Sequence, residues 1–107
     1  MFKLIFSVLL ILYAVLQSAT AQEIQLSASD DLQQVLDASH DGDVIVLNAG
    51  RYFGNFVINK QITLRGNHHG DEKTIIDAQG KGHALVLKNS HITIENLNII
   101  NWGDDLT

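Results

Sequence analysis

The chain has 107 residues, no cysteine, no proline and a formal net charge of −5. The acidic balance argues against nucleic acid and anionic membrane surfaces as partners. The lack of cysteine excludes a disulfide framework and thiolate metal sites. Packing alone must therefore stabilise the fold, with Gly, Asn and Asp forming the turns.

The first 21 residues have the organisation of a secretory signal peptide. Lys3 gives a positive start, residues 4–16 are apolar except for Ser7, and Ala19-Thr20-Ala21 is the small-x-small pattern that precedes a cleavage site. Thirteen residues fall short of the roughly 20 that span a bilayer, which disfavours the alternative of a membrane anchor. We predict cleavage after Ala21, export to the periplasm, and no membrane insertion afterwards.

Residues 22–42 are predicted to form an N-terminal cap of one strand and one short helix. Residues 23–26 alternate polar and apolar side chains, as a half-buried strand does. Apolar residues then recur at helical spacing over residues 31–39, with Ser29 or Asp30 as candidate N-caps. The apolar side chains of both elements would plug the end of the following structure: Ile24, Leu26, Leu32, Val35 and Leu36.

From residue 43 to residue 107 every apolar run is short, β-rich and bounded by Gly, Asn or Asp. The stretches NKQITLRG (59–66) and NSHITIEN (89–96) align at an offset of thirty residues. Short strands fit an antiparallel sandwich or a parallel β-helix, and the repeat favours the β-helix. In that fold Asn59 would stack over Asn89, with both side chains hydrogen-bonded in a ladder.

The predicted solenoid has fewer repeats than such folds usually need. Little more than two periods of thirty residues follow Val44, no second cap is visible, and stacking generally requires at least three repeats. We therefore interpret residues 43–107 as the first coils of a longer β-helix, truncated at its C-terminus.

Two long segments resemble the opening coils of right-handed parallel β-helix proteins: GDVIVLNAGRYFGNFVINKQITLRG and IIDAQGKGHALVLKNSHITIENLNI. The pattern GD-x-I-x-L-x-x-G-x-Y is similar to that of many β-helix proteins, including polysaccharide lyases and pectin-acting enzymes. Residues 60–66 and the sequence IIDAQGKG narrow the resemblance to the NosD family. Its members are periplasmic accessory proteins of nitrous oxide reductase maturation.

The resemblance covers residues 32–106 and implies an all-β, right-handed parallel β-helix without catalytic chemistry of its own. It further implies copper delivery to nitrous oxide reductase and work beside an ABC transporter. The chain departs from the family in length, because family members carry many more coils. The alternative is the N-terminal part of a β-helix polysaccharide lyase or glycoside hydrolase, whose active site would lie in later coils.

Histidines are the candidate copper ligands, since imidazole suits copper. His68 and His69, in NHHGDEK with Asp71 and Glu72, form the best local group. Adjacent side chains on an extended backbone point to opposite faces, so the two histidines chelate together only if the loop turns between them. The alternative is a pair of exposed loop histidines.

The remaining chemistry-bearing residues have mainly structural interpretations. Asp77 is expected to bond its own backbone in a turn, and His40 to lie at the negative end of the helix dipole. His83 and His91 flank a strand and form a weaker metal candidate. Trp102 could stack on a sugar, but packing over the turn of the next coil is favoured. We predict no catalytic residue.

Overall fold

A computed structural model describes residues 21–103, so the predicted signal peptide, except for Ala21, lies outside the described residues. These residues form nine strands and one helix: β1 Glu23–Leu26, α1 Leu32–Ala38, β2 Val44–Asn48, β3 Gly50–Phe53, β4 Phe56–Ile58, β5 Thr63–Asn67, β6 Thr74–Asp77, β7 Leu85–Leu87, β8 Thr93–Glu95 and β9 Asn98–Ile100. No helix in this part is long and apolar enough to cross a membrane.

The strands pair in parallel and form three sheets. Sheet A has the order β1-β2-β5-β8, sheet B has β3-β6-β9, and sheet C has β4-β7. From β2 onward consecutive strands lie in different sheets, and each strand stacks on the equivalent strand of the neighbouring coil. The chain is therefore a parallel β-solenoid of about three turns, which confirms the predicted fold class.

The thirty-residue offset holds for only part of the solenoid. Thr63 pairs with Thr93 and Leu64 with Ile94, as the repeat predicts. Val44, however, pairs with Thr63, nineteen residues on. The second coil is longer than the first because of the loops at residues 68–73 and 78–84. The strands keep their stacking, while the loops between them set the length of each coil.

Apolar columns run along the inside of the solenoid. Ile45, Leu64 and Ile94 occupy matching positions in three successive strands of sheet A. Ile45 and Leu64 are fully buried, and Ile94 packs against the same cluster while partly exposed. Complete burial of such a side chain contributes about 1.5 to 3 kcal/mol, so this column is a main source of stability.

The N-terminal strand and helix cover the first coil, as their apolar patterns predict. β1 extends sheet A, and Leu26, Leu32 and Leu36 join the core cluster. The Gln33 side chain then pairs with the backbone of Val57 in β4. Its Nε2 donates to the Val57 carbonyl and its Oε1 accepts from the Val57 N–H, both at 2.9 Å. These bonds satisfy backbone groups at the edge of sheet C.

Two predicted details of hydrogen bonding are wrong. Asp31 is the N-cap of α1, accepting from the Gln34 N–H at 3.2 Å, because Asp30 instead accepts from the Ser27 N–H in the preceding turn. The asparagine stack is also different. Asn89 donates from its side chain to the backbone carbonyl of Asn59 at 3.2 Å, so the contact is not a side-chain ladder.

Asp43 ties the cap to the first coil. Its Oδ1 accepts from the Gln22 N–H at 2.9 Å, and its Oδ2 accepts from the His40 N–H at 2.8 Å. The carboxylate is buried, and the bonds from His40 and Gln22 hold its pKa below the ordinary value. Because only the ionised form accepts both bonds fully, this contribution depends on pH.

We expect Asp43→Asn to lower the free energy of unfolding at pH 7 by about 1 kcal/mol, since an amide nitrogen cannot accept an N–H. Because the pKa of Asp43 is lower in the folded state, its carboxylate stabilises the fold fully when the pH is above the unfolded-state pKa of about 4. This stabilisation is lost as the pH falls through the folded-state pKa. Urea unfolding from pH 7 to pH 2 should show a weaker acid dependence in the variant. Asp71→Asn, at an exposed loop carboxylate, is the control and should unfold like the parent chain. If the free energy of unfolding of Asp43→Asn fell with pH as steeply as that of the parent, Asp43 would not have this role.

Candidate functional site

The loop that carries the predicted histidines is a short hairpin between β5 and β6. The His69 N–H donates to the Glu72 carbonyl at 3.0 Å, and the Glu72 N–H donates to the His69 carbonyl at 2.9 Å. Gly70 lies at the first central position with φ 59°, a conformation that suits glycine. The chain therefore reverses after His69, not between His68 and His69.

His68 holds the base of this hairpin. Its Nδ1 accepts from the backbone N–H of Thr74 at 3.0 Å. A neutral imidazole that accepts through Nδ1 carries its proton on Nε2, so neither ring nitrogen of His68 is free for a metal in this arrangement. A metal-bound histidine usually donates its second nitrogen to an acceptor, which is the opposite pattern. His68 becomes a ligand only if its bond to Thr74 breaks.

The hairpin nevertheless brings three of the predicted polar residues to one place. His68, His69 and Glu72 line an open depression beside the ends of β2 and β5, and all three are exposed. Asp71 lies at the hairpin tip and is not among the lining residues. Within residues 21–103 no group of three or more histidine or carboxylate side chains has metal-binding geometry. The loop itself therefore gives an incomplete coordination shell.

The other histidines lie apart from this depression. His83 and His91 are both exposed, and the His91 Nδ1 lies 2.9 Å from the Ser90 hydroxyl. His40 follows the helix as predicted, with its ring Nδ1 3.9 Å from the Asp43 carboxylate. His40 therefore belongs to the polar contacts at the junction of cap and coil.

Asp77 is a turn residue, as predicted, and it also organises the outer face of sheet B. Its Oδ1 accepts from the Gln79 N–H at 2.8 Å and from the Asn101 side chain at 3.0 Å. Its Oδ2 lies 3.4 Å from Arg51 Nη1. The Asn101 bond, the Gln79 bond and the charge of Arg51 together hold the pKa of Asp77 below its ordinary value.

Sequence reasoning missed the partnership of Asp77 with Arg51 and Asn101. The signal would have been the register of sheet B, in which Phe53 pairs with Asp77 and Asp77 with Ile100. Because the coils differ in length, that register cannot be obtained from a constant thirty-residue period. Trp102 is 66% exposed within residues 21–103, and its packing over the turn of a following coil stays a prediction.

Comparison with known proteins supports the family resemblance over part of the chain. The chain is similar to proteins named NosD. It is 41% identical over 61 residues to a protein of Pseudomonas aeruginosa strain PAO1 named probable ABC transporter binding protein NosD. It is 36% identical over 62 residues to a second Pseudomonas aeruginosa protein of that name, and 33% identical over 61 residues to one of Stutzerimonas stutzeri.

The matches cover unequal shares of these proteins. For the strain PAO1 and Stutzerimonas relatives, the aligned segment is 57% of this chain but only 13% of the relative. For the second Pseudomonas relative, it is 58% of this chain and 53% of the relative. No protein-family model matches the chain, and no solved structure matches it. The comparisons therefore show a segment similar in sequence to proteins named NosD, and the activity of the whole relatives comes to this chain only as a proposal.

Proposed function

We propose that the chain is a NosD-like binding module that associates with an ABC transporter, and that it is not an enzyme. The observation that carries this proposal is the 41% identity to a protein named as a probable ABC transporter binding protein. The fold is suited to the role, because a solenoid presents flat sheet faces that bind partners over an extended area.

The outer face of sheet A is the best candidate for such a contact. Arg65 lies beside Glu95 in the sheet register and 3.9 Å from Glu23, measured between Nη2 and Oε2. All three side chains are partly or fully exposed. A rigid surface with both signs of charge favours specific orientation of a partner more than tight non-specific adhesion.

The finer proposal places the module in the periplasm, beside the transporter and nitrous oxide reductase, with copper as cargo. The hairpin fits a transient contact with copper better than a resident site. His69 offers an exposed imidazole, and His68 contributes only after releasing Thr74. Further ligands would have to come from outside the described residues or from a partner, as suits a cargo that is passed on.

Association with the transporter can be tested by co-purification. An affinity-tagged full chain is expressed in a nitrous oxide-reducing bacterium, and the periplasmic and membrane fractions are analysed by mass spectrometry. We expect the ABC transporter subunits to be enriched, and Arg65→Glu to reduce that enrichment because it reverses the charge at the centre of the face. Thr63→Ala, a neutral change beside it, is the matched control. Absence of the transporter subunits from the purified material would refute the association.

Copper binding by the hairpin can be tested by titration with Cu(I) and Cu(II). We expect His69→Ala to remove most of the binding and the His68→Ala, His69→Ala double variant to abolish it. A His83→Ala, His91→Ala double variant should bind as the parent does, because these exposed histidines lie away from the hairpin. Unchanged affinity in the hairpin variants would exclude the loop as a copper contact and would leave the transporter proposal intact.

A further inference from the structure

A groove crosses the outer side of sheet B where its strands end. It encloses about 610 Å³, and its lining includes Phe53, Asp77, Gln79, Asn101 and Trp102. These residues come from three successive coils, so the groove exists only when the coils stack. None of them belongs to the histidine hairpin.

The sheet register explains why the groove has aromatic sides and a polar floor. Phe53 pairs with Asp77, and Asp77 with Ile100, across neighbouring strands about 4.8 Å apart. Trp102 follows Ile100 by two residues and therefore lies on the far side of Asp77 from Phe53. The Phe53 and Trp102 side chains are 54% and 66% exposed, whereas Asp77 is 3% exposed.

The floor of the groove is fixed before any ligand arrives. The Gly80 N–H donates to the Asn101 carbonyl at 2.7 Å, and Gly82 and Gly103 exchange two backbone hydrogen bonds at 3.1 and 2.7 Å. Asp77 orients the Asn101 side chain by accepting from its Nδ2 at 3.0 Å. A ligand would therefore meet an ordered floor, which lowers the entropy cost of binding.

The charges of the groove favour a neutral ligand. Among the lining residues that lie within residues 21–103, Asp77 is the only ionisable group, and its Oδ2 lies 3.4 Å from Arg51 Nη1. The other polar side chains are the amides of Gln79 and Asn101, which both donate and accept hydrogen bonds. Two amide side chains and two exposed aromatic rings in one groove suit a molecule with many hydroxyl groups and one apolar face.

We propose that this groove binds a neutral carbohydrate. The C–H face of a pyranose ring carries a small positive charge and would stack on Trp102 or Phe53, whose ring faces are negative. The sugar hydroxyls would pair with the amides of Gln79 and Asn101. Asp77 is the positioning residue that holds the Asn101 amide in place.

The groove contains its own spectroscopic probe, because Trp102 is the sole tryptophan of the chain. Protein purified from cells expressing the full chain is titrated with cellohexaose, xylohexaose and maltohexaose, and with anionic hexagalacturonate. We expect a saturable change in tryptophan emission with at least one neutral hexasaccharide, and none with hexagalacturonate. Circular dichroism checks that every variant keeps its β-rich spectrum.

Variants locate the binding on the groove. Phe53→Ala should weaken neutral-sugar binding about ten-fold by removing one aromatic side. Leu87→Ala is the matched control, because Leu87 is an exposed apolar residue on sheet C, at 47% exposure, and does not line the groove. It should bind as the parent does.

Three outcomes would overturn the proposal: no emission change with any neutral hexasaccharide, a response to hexagalacturonate alone, or equal weakening by Phe53→Ala and Leu87→Ala. The proposal is independent of copper and of the transporter. If the copper proposal or the transporter proposal failed, the expected result of the sugar titration would stay the same.

Discussion

Replacing Gly66 by alanine is expected to lower the free energy of unfolding by about 3 kcal/mol. A Cβ on Gly66 would collide with the backbone carbonyl oxygen of Asn96 and lie 2.9 Å from Thr74 Cβ and 3.0 Å from Leu97 Cδ2. Gly66 is buried in β5 and pairs with Leu47. Because the crowding oxygen belongs to the next coil, one methyl group would push two coils apart.

The control for this substitution is Gly80→Ala. Gly80 has a φ of +75° and no atom within 4 Å of its added Cβ, so alanine there meets backbone strain and no crowding. Its expected cost is about 1 kcal/mol. Guanidinium unfolding followed by circular dichroism gives both values. A Gly66→Ala cost no larger than that of Gly80→Ala would show that the third coil yields easily and does not press on β5.

The elements themselves could be predicted from the sequence because their signals are local. Alternation in β1 and β5 and the 3.6-residue spacing in α1 each lie within one short segment. The repeat at residues 59–66 and 89–96 was sufficient to select a parallel solenoid. It is the one pair of coils in which strand register and sequence spacing coincide, with Thr63 opposite Thr93.

What the sequence could not provide is the alignment of coils that differ in length. Arg51 reaches Asp77, twenty-six residues on, only because β3 and β6 pair at an offset of twenty-four residues, and that offset matches no visible repeat. The contact between Gly66 and Asn96 does follow the thirty-residue repeat, but the repeat does not show that the Asn96 carbonyl oxygen leaves no room for a side chain at Gly66. The groove of sheet B depends in the same way on the register of β3, β6 and β9.

The candidate copper loop shows a different limit. Its sequence indicated that two adjacent histidines could share a metal if the loop turned between them. The structure places the turn after His69 and binds His68 to Thr74, a backbone contact that composition and spacing cannot indicate. The hairpin therefore occupies the Nδ1 atom of His68, and the copper proposal depends first on His69.

Tyr52→Ala is expected to produce the largest loss of stability, about 4 kcal/mol, by leaving a cavity in the first coil. Tyr52 is 2% exposed, and its hydroxyl lies 2.9 Å from the Asn48 carbonyl oxygen and 3.1 Å from that of Leu26. The side chain thus fills the core and also joins β1 of the cap to the first coil. Tyr52→Phe keeps the ring and should cost only about 1 kcal/mol. Equal losses in the two variants would show that the hydroxyl, not the ring, holds the cap.

The same hydroxyl makes the stability fall at alkaline pH. Burial, with a smaller contribution from Asp30, raises the pKa of Tyr52 to about 12. A raised folded-state pKa means that this contribution is complete below the unfolded value of about 10 and is lost as pH rises from there toward 12. Phenylalanine has no proton to lose, so the parent should lose stability faster than Tyr52→Phe between pH 10 and pH 12. Groups that titrate in both chains cancel in this comparison, and parallel curves would mean that the hydroxyl is open to water in the folded protein.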